Sequence, residues 1–200
     1  CLMYLAYATS MIMKTSIIVV SPSLVSDPLI AMSNAQFGEI LASGSVGGIF
    51  GKIVFGLSSD RFGGRLSFFA SLLILSICIV LFGFSYHFVM FLSIFFIVSL
   101  SKAGGWPSLA KMIGNWYQPS QFGRVWGLIA TSSRIGTIIA TLGLGFLLNL
   151  LSWQQILYVA GSIGATIVIV WFCIVREMPA EDQRPKPKES EEQEETDTKQ

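Results

Sequence analysis

Four basic side chains, Lys14, Lys52, Lys102 and Arg134, stand inside stretches that are otherwise apolar. Burying an ammonium or guanidinium group without a partner is costly, so a charge kept in such surroundings needs something to neutralise it. Residues 1–175 hold eight Lys/Arg against three acids, Asp27, Glu39 and Asp60, and none of these acids lies at the depth of Lys14 or Arg134. The chemistry implied is recognition of a small anion. Tyr7, Met11 and Lys14 recur at spacings of four and three, which places them on one helix face and sets the Tyr7 hydroxyl beside the Lys14 ammonium. A packing or membrane-boundary role is the plainer alternative for Tyr7.

A second gathering of charge closes the run "GKIVFGLSSDRFGGR" (51–65), where Asp60, Arg61 and Arg65 follow Gly56. An acid set among bases at a turn can form an ion-pair latch that holds one conformation, and Gly56 would let another helix approach closely. Bases there also set membrane topology, and the two roles are compatible. Groups for catalysis are sparse. His87 is the one histidine, no Cys–His or Ser–His arrangement is apparent, and Asp60 has no acidic neighbour for acid–base work. Cys1, Cys78 and Cys173 fall in or beside apolar runs, which fits neither a disulfide framework nor a metal set. The expectation is a protein that is not an enzyme and needs no cofactor, metal or nucleic acid.

The elements that must position these groups are helices crossing a bilayer. The chain is 52% hydrophobic and 12% charged, a membrane composition. Windows of about 20 mostly apolar residues, the length of a spanning helix, fall at 2–21, 37–57, 66–86, 88–112, 123–149 and 153–175. The expected architecture is all-α, a polytopic bundle of six transmembrane helices over 1–175. Six helices of a soluble core would need polar outer faces, which most of these segments lack. At ~1.5 Å per residue Lys14 and Arg134 lie near mid-depth, whereas Lys52 and Lys102 lie far enough inward that snorkelling to the surface is an equal reading.

The connections after the second and fourth windows carry Arg61, Arg65, Lys111 and Arg124, and Arg176 follows the sixth, whereas the other three connections carry no Lys or Arg. Both chain ends are therefore expected on the cytoplasmic side. Residues 176–200 hold five bases and nine acids with no aromatic residue, the composition of a disordered cytoplasmic tail or linker. The chain opens on "CLMYLAYA" with neither Met nor a basic leader, as a fragment beginning at a transmembrane helix would. A plasma or bacterial inner membrane and an endoplasmic reticulum membrane fit equally.

The third and sixth windows contain no charge, so they are expected against lipid, with the first, second, fourth and fifth around a polar route. In "GSVGGIFG" the pairs Gly44/Gly48 and Gly47/Gly51 offer a small-residue surface for helix packing. "AGGWP" should interrupt the fourth helix before Pro107, and broken helices of this kind lie at transporter binding sites.

"GLSSDRFGGR" (56–65) resembles the loop signature of the major facilitator superfamily: Gly56, Ser59, Asp60, Arg61, Gly63 and Arg65 match, while Ser58 and Gly64 depart from it. "GGWPSLAKMIGNWYQPSQFG" (104–123) is similar to the organophosphate:phosphate antiporter family, and the "SW" opening the sixth helix fits too. The resemblance spans residues 4 to 180. It implies that the chain is the N-terminal six-helix half of a transporter whose C-terminal six-helix half is missing, with substrate at the midplane between the halves. It also implies that Lys14 stands where the family carries a phosphate-binding Arg, that Tyr7 and Trp106 belong to the substrate site, and that Lys52 matches a family Lys. Two departures concern specificity. A lysine is a point charge without the guanidinium fork, and Arg134 stands where members mostly have a neutral residue. The fifth helix has "GTIIATLGLG" in place of the Gly-Pro pair of many superfamily antiporters.

The function so implied is alternating-access exchange of an organic phosphate ester for inorganic phosphate. Another organic anion, such as a carboxylate, is the first alternative, and a non-transporting membrane sensor of a phosphorylated metabolite is the second. Substrate-binding residues would be Lys14, Arg134, Tyr7, Lys52, Lys102 and Trp106, and gating residues Gly56, Asp60, Arg61 and Arg65.

Overall fold

In the computed structural model, residues 2–28, 30 and 32–175 are described. Cys1, Arg176 and the acidic segment 176–200 lie outside them, and with them the expectation for the tail. The helices are α1 (Leu2–Val25), α2 (Asn34–Phe62), α3 (Gly64–Gly83), α4 (Phe88–Ala103), α5 (Gly105–Trp116), α6 (Phe122–Ile139), α7 (Gly145–Leu147) and α8 (Trp153–Ile174). A 3-10 turn at Pro119–Gln121 precedes α6, and a π-helical turn at Ala140–Leu144 follows it. These elements make six segments long and apolar enough to cross a membrane: α1, α2, α3, α4 with α5, the run Pro119–Leu147, and α8. The all-α, six-span architecture read from the sequence is therefore the one observed.

Local chemistry sets the ends. Ser33 accepts from the Gln36 N–H while the Gln36 side chain accepts from the Ser33 N–H, a capping box that starts α2. Ser152 and Gln155 do the same for α8. The fourth span breaks at Gly104, and Pro107 sits in the first turn of α5, where its missing N–H costs little.

The "GLSSDRFGGR" region corrects one expectation. Rather than a turn over 56–65, α2 runs on through Phe62 and the whole reversal into α3 is made at Gly63, with φ 85° and ψ 160°. Only glycine adopts that backbone conformation readily, so a single residue replaces the loop.

Without a hydrophobic effect between helices, a membrane bundle is held by close packing and interhelical hydrogen bonds. Along α2, a Cβ at Gly44 would strike the Phe95 ring, one at Gly47 the Phe96 carbonyl, and one at Gly51 the Leu100 backbone. The α2–α4 seam is thus a backbone-to-backbone contact. Gly48 and Gly56, read from sequence as part of this close-approach surface, instead have no neighbour within 4 Å of an added Cβ. They lie roughly 70° and 150° around the helix from the seam.

On the other side, Gly136 of α6 packs against Ala8 and Met11 of α1. Between α3 and α8, the Phe68 and Trp171 rings meet at 4.6 Å and Ser76 donates to the Gly161 carbonyl at 2.8 Å. The outward residues of these two helices, among them Leu73, Ile77, Ile163, Ile169 and Phe172, are exposed and apolar. That is the surface the charge-free third and sixth spans were expected to turn to lipid.

Candidate anion-binding site

The break at Gly104 brings the end of α4 and the start of α5 against α1 and α2. A hollow of about 480 Å³ opens there, lined by Tyr7, Lys52, Lys102, Ala103, Trp106 and Pro107. Lys102 is the last basic residue of α4, one residue before Ala103 closes that helix, and its side chain turns toward α1. Its Nζ lies 3.4 Å from the Tyr7 hydroxyl, to which it donates, and 4.6 Å from the centre of the Tyr7 ring. The ring thus meets the ammonium with both its π face and its oxygen, two weak partners that leave the charge without a carboxylate. Lys14, two turns along α1 from Tyr7 and half-buried, is close enough to Lys102 for the two charges to repel. Lys52 reaches the hollow from α2 and is otherwise exposed.

Among the described residues the acids are Asp27, Glu39 and Asp60, and none lines this hollow. Like charges gathered beside an aromatic wall, with no counter-charge, form a cavity of positive potential whose natural complement is an anion.

The sequence-predicted residues divide accordingly. Tyr7, Lys52, Lys102 and Trp106 come together, and Lys14 stands behind Lys102. Arg134 does not join them. On α6 the buried residues Ile129, Ser132 and Gly136 face α1, whereas Arg134 is exposed on the opposite side of the helix.

The latch residues are also rearranged. Asp60 pairs with Lys111 of α5, Nζ to Oδ1 3.4 Å, rather than with the arginines near it in sequence. Arg65 instead ties α3 to α8. Its Nη2 donates to the Phe172 carbonyl at 2.8 Å, its guanidinium stands 5.6 Å from the Phe172 ring centre, and its own carbonyl accepts from Trp171 Nε1 at 3.3 Å. Arg61 is exposed.

Sequence reasoning missed three partners. Lys111 was read only as a topology-setting base. Trp153, whose Nε1 donates to Asp27 Oδ2 at 2.9 Å, ties the start of α8 to the connection after α1. Trp126 of α6 stacks on Trp106 at 4.5 Å. Each contact joins segments far apart in sequence, and spacing carries no signal for that.

The profile of the Major Facilitator Superfamily matches residues 3–199. Among curated proteins, the chain is 25% identical over 179 residues to the hexuronate transporter of Bacillus subtilis, covering 90% of this chain and 42% of that protein. It is 26% identical over 170 residues to a probable hexose phosphate transport protein of Chlamydia pneumoniae, covering 84% of this chain and 37% of that protein. The chain therefore spans about two fifths of the length of these relatives. Among solved structures, a bacterial homologue of the human lysosomal transporter Spinster, inward-facing and unoccupied, superposes with a TM-score of 0.76 at 20% identity. That superposition covers 93% of this chain and 44% of the other, and at this identity it shows the fold alone. With the family profile running through nearly all of its residues and its six spans folded as in that structure, this chain belongs to the Major Facilitator Superfamily.

Proposed function

We propose that the whole protein, of which this chain supplies a six-helix half, exchanges an organic anion across the membrane by alternating access, with a phosphate ester moving against inorganic phosphate. The observation that carries this reading is the set of ammonium groups, Lys102, Lys52 and the nearby Lys14, around one hollow whose lining holds no carboxylate. An entering anion neutralises them, lowers their mutual repulsion and favours closure of the second half over the site, while the empty site keeps its unpaired charge and changes state slowly. Exchange rather than net flux follows from that asymmetry. The relative from Chlamydia pneumoniae named for hexose phosphate transport supports a phosphate ester as substrate.

A carboxylate is the second reading. The groups at the hollow are lysines, point charges that suit a carboxylate as well as a phosphate. The relative from Bacillus subtilis is named for hexuronates, which are sugar carboxylates. The test is counterflow by the full-length parent protein in liposomes loaded with inorganic phosphate, with labelled glucose 6-phosphate, glycerol phosphate or glucuronate outside. Uptake of a phosphate ester that requires internal phosphate supports the first reading. Uptake of glucuronate alone supports the second, and binding with no uptake of any probe would leave a membrane sensor.

A further inference from the structure

The lysines account for one end of a ligand, its charge. Apart from the Tyr7 hydroxyl and the Trp106 indole N–H, the remaining lining residues offer carbon: the rings of Tyr7 and Trp106, the Ala103 methyl and the Pro107 ring. Trp106 is 45% exposed, so much of its indole is free to meet a ligand. Its backbone follows the pair Gly104–Gly105 at the break between α4 and α5, and neither glycine has a side chain to pack on the ring.

Two rings from other helices do so. Tyr7 of α1 meets the indole at 5.9 Å between centroids with planes inclined by 54°. Trp126 of α6 stacks on it at 4.5 Å with planes inclined by only 38°, the closer and more nearly parallel contact. Trp126 is half-buried and does not itself line the hollow. Its helix is held against α1 through Gly136, so the ring contact braces the start of α5 from a helix that is itself fixed.

We infer that Trp126 is a positioning residue for specificity: stacked on Trp106, it holds that indole as a flat wall for the carbon skeleton of an organic anion. The pair reads the uncharged part of the ligand, and Lys102 and Lys52 read its charge. An indole face suits C–H groups, such as one face of a pyranose ring, and offers nothing to a bare oxyanion. The stack therefore favours a ligand that carries a ring or chain beside its acidic group. This inference rests on the anion-binding reading of the same hollow.

The test measures Kd in the full-length parent protein for paired probes of equal charge type: glucose 6-phosphate against inorganic phosphate, and glucuronate against acetate. Trp126→Leu should weaken binding of the larger member of the bound pair by roughly tenfold, about 1.4 kcal/mol, and leave the smaller member within about twofold. Trp126→Phe, which keeps a stacking ring, should restore most of the loss. A thermal melt compares the folding of the variants, and Trp126→Met is read in place of Trp126→Leu if the latter does not fold. Equal losses for both members of a pair, or no loss for either, would overturn the inference while leaving the anion site intact. Wild-type protein that binds none of the four probes would overturn the anion reading itself, and this inference with it.

Discussion

Asp60, near the end of α2, is held at 3.4 Å by Lys111 of α5, so the tie runs across the bundle to the fourth span and not along its own connection to α3. Both side chains are substantially exposed, 42% for Lys111 and 74% for Asp60, and an exposed pair of this kind contributes about 0–1 kcal/mol. A role in gating would therefore show in rate and not in stability. Asp60→Asn should leave the melting temperature of the full-length protein within a few degrees and change the transport rate more than the apparent substrate affinity. The charge swap Asp60→Lys with Lys111→Asp should recover part of the rate. A swap no better than either single variant would mean that the pair plays no part in gating.

Lys102 and Tyr7 should make the opposite case, a contact whose removal costs function and little stability. Lys102→Met deletes a half-buried charge that has no carboxylate at hand, so the empty protein should melt no lower than wild type, and higher if the repulsion from Lys14 dominates. Anion affinity should fall by tenfold or more, ~1.4 kcal/mol or above. Tyr7→Phe keeps the ring over the ammonium and loses only the hydroxyl, so its loss should be the smaller of the two. Isothermal titration and a thermal melt on the same samples separate the effects, and Lys14→Ala, which removes the second ammonium, should also abolish tight binding.

The glycines of α2 divide sharply by face. A methyl group at Gly51 meets the backbone of Leu100, which cannot rotate out of the way, whereas one at Gly48 meets nothing within 4 Å. Gly51→Ala should therefore cost on the order of 1–3 kcal/mol, seen as a lowered melting temperature and poor yield. Gly48→Ala should fold normally. If transport is nevertheless lost in Gly48→Ala, the open face that it shares with Lys52 and Gly56 is pressed by the other half of the transporter during the cycle.

Gly63 is a separate test of backbone strain. With φ 85° and ψ 160°, any residue with a Cβ is strained there, by on the order of 1–3 kcal/mol. Gly63→Ala should lower stability by that amount. Gly64→Ala tests a different cause, because its Cβ would meet the Ser108 carbonyl although its backbone is ordinary helix. Loss in both variants would show that the turn is fixed twice, once by conformation and once by packing.

What could be read from the sequence was whatever is local or averaged over a span. Window length and hydropathy placed all six helices, and Gly-Gly-Trp-Pro marked the break at Gly104. Lys102 could be read as unpaired because so few acids exist to pair with it. The register of one helix against another was not legible. Gly44, Gly47 and Gly51 look no different in sequence from Gly48 and Gly56, yet only the first three meet α4. Arg134 lies at a suitable depth but on the far face of α6, and depth follows from counting whereas facing depends on which neighbour the helix chooses. Lys111, Trp126 and Trp153 were missed for the same reason, since each finds its partner at a distance that no short-range pattern encodes.

The π-helical turn at Ala140–Leu144 gives the fifth span a property that, among the described residues, none of its companions shares. A π turn holds one residue more than the α-helical ladder around it uses. That surplus is slack. If the turn tightens to α geometry, everything from Gly145 onward swivels by about 100° and advances by about 1.5 Å, while the portion of α6 keyed to α1 at Gly136 stays in place. The turn lies near the Leu147 end of the span Pro119–Leu147, so a joint there would re-aim only the short segment from Gly145 onward. Where many antiporters of the superfamily spend a Gly-Pro pair, this span carries a change of helical register close to one end, with no proline to bend the rod.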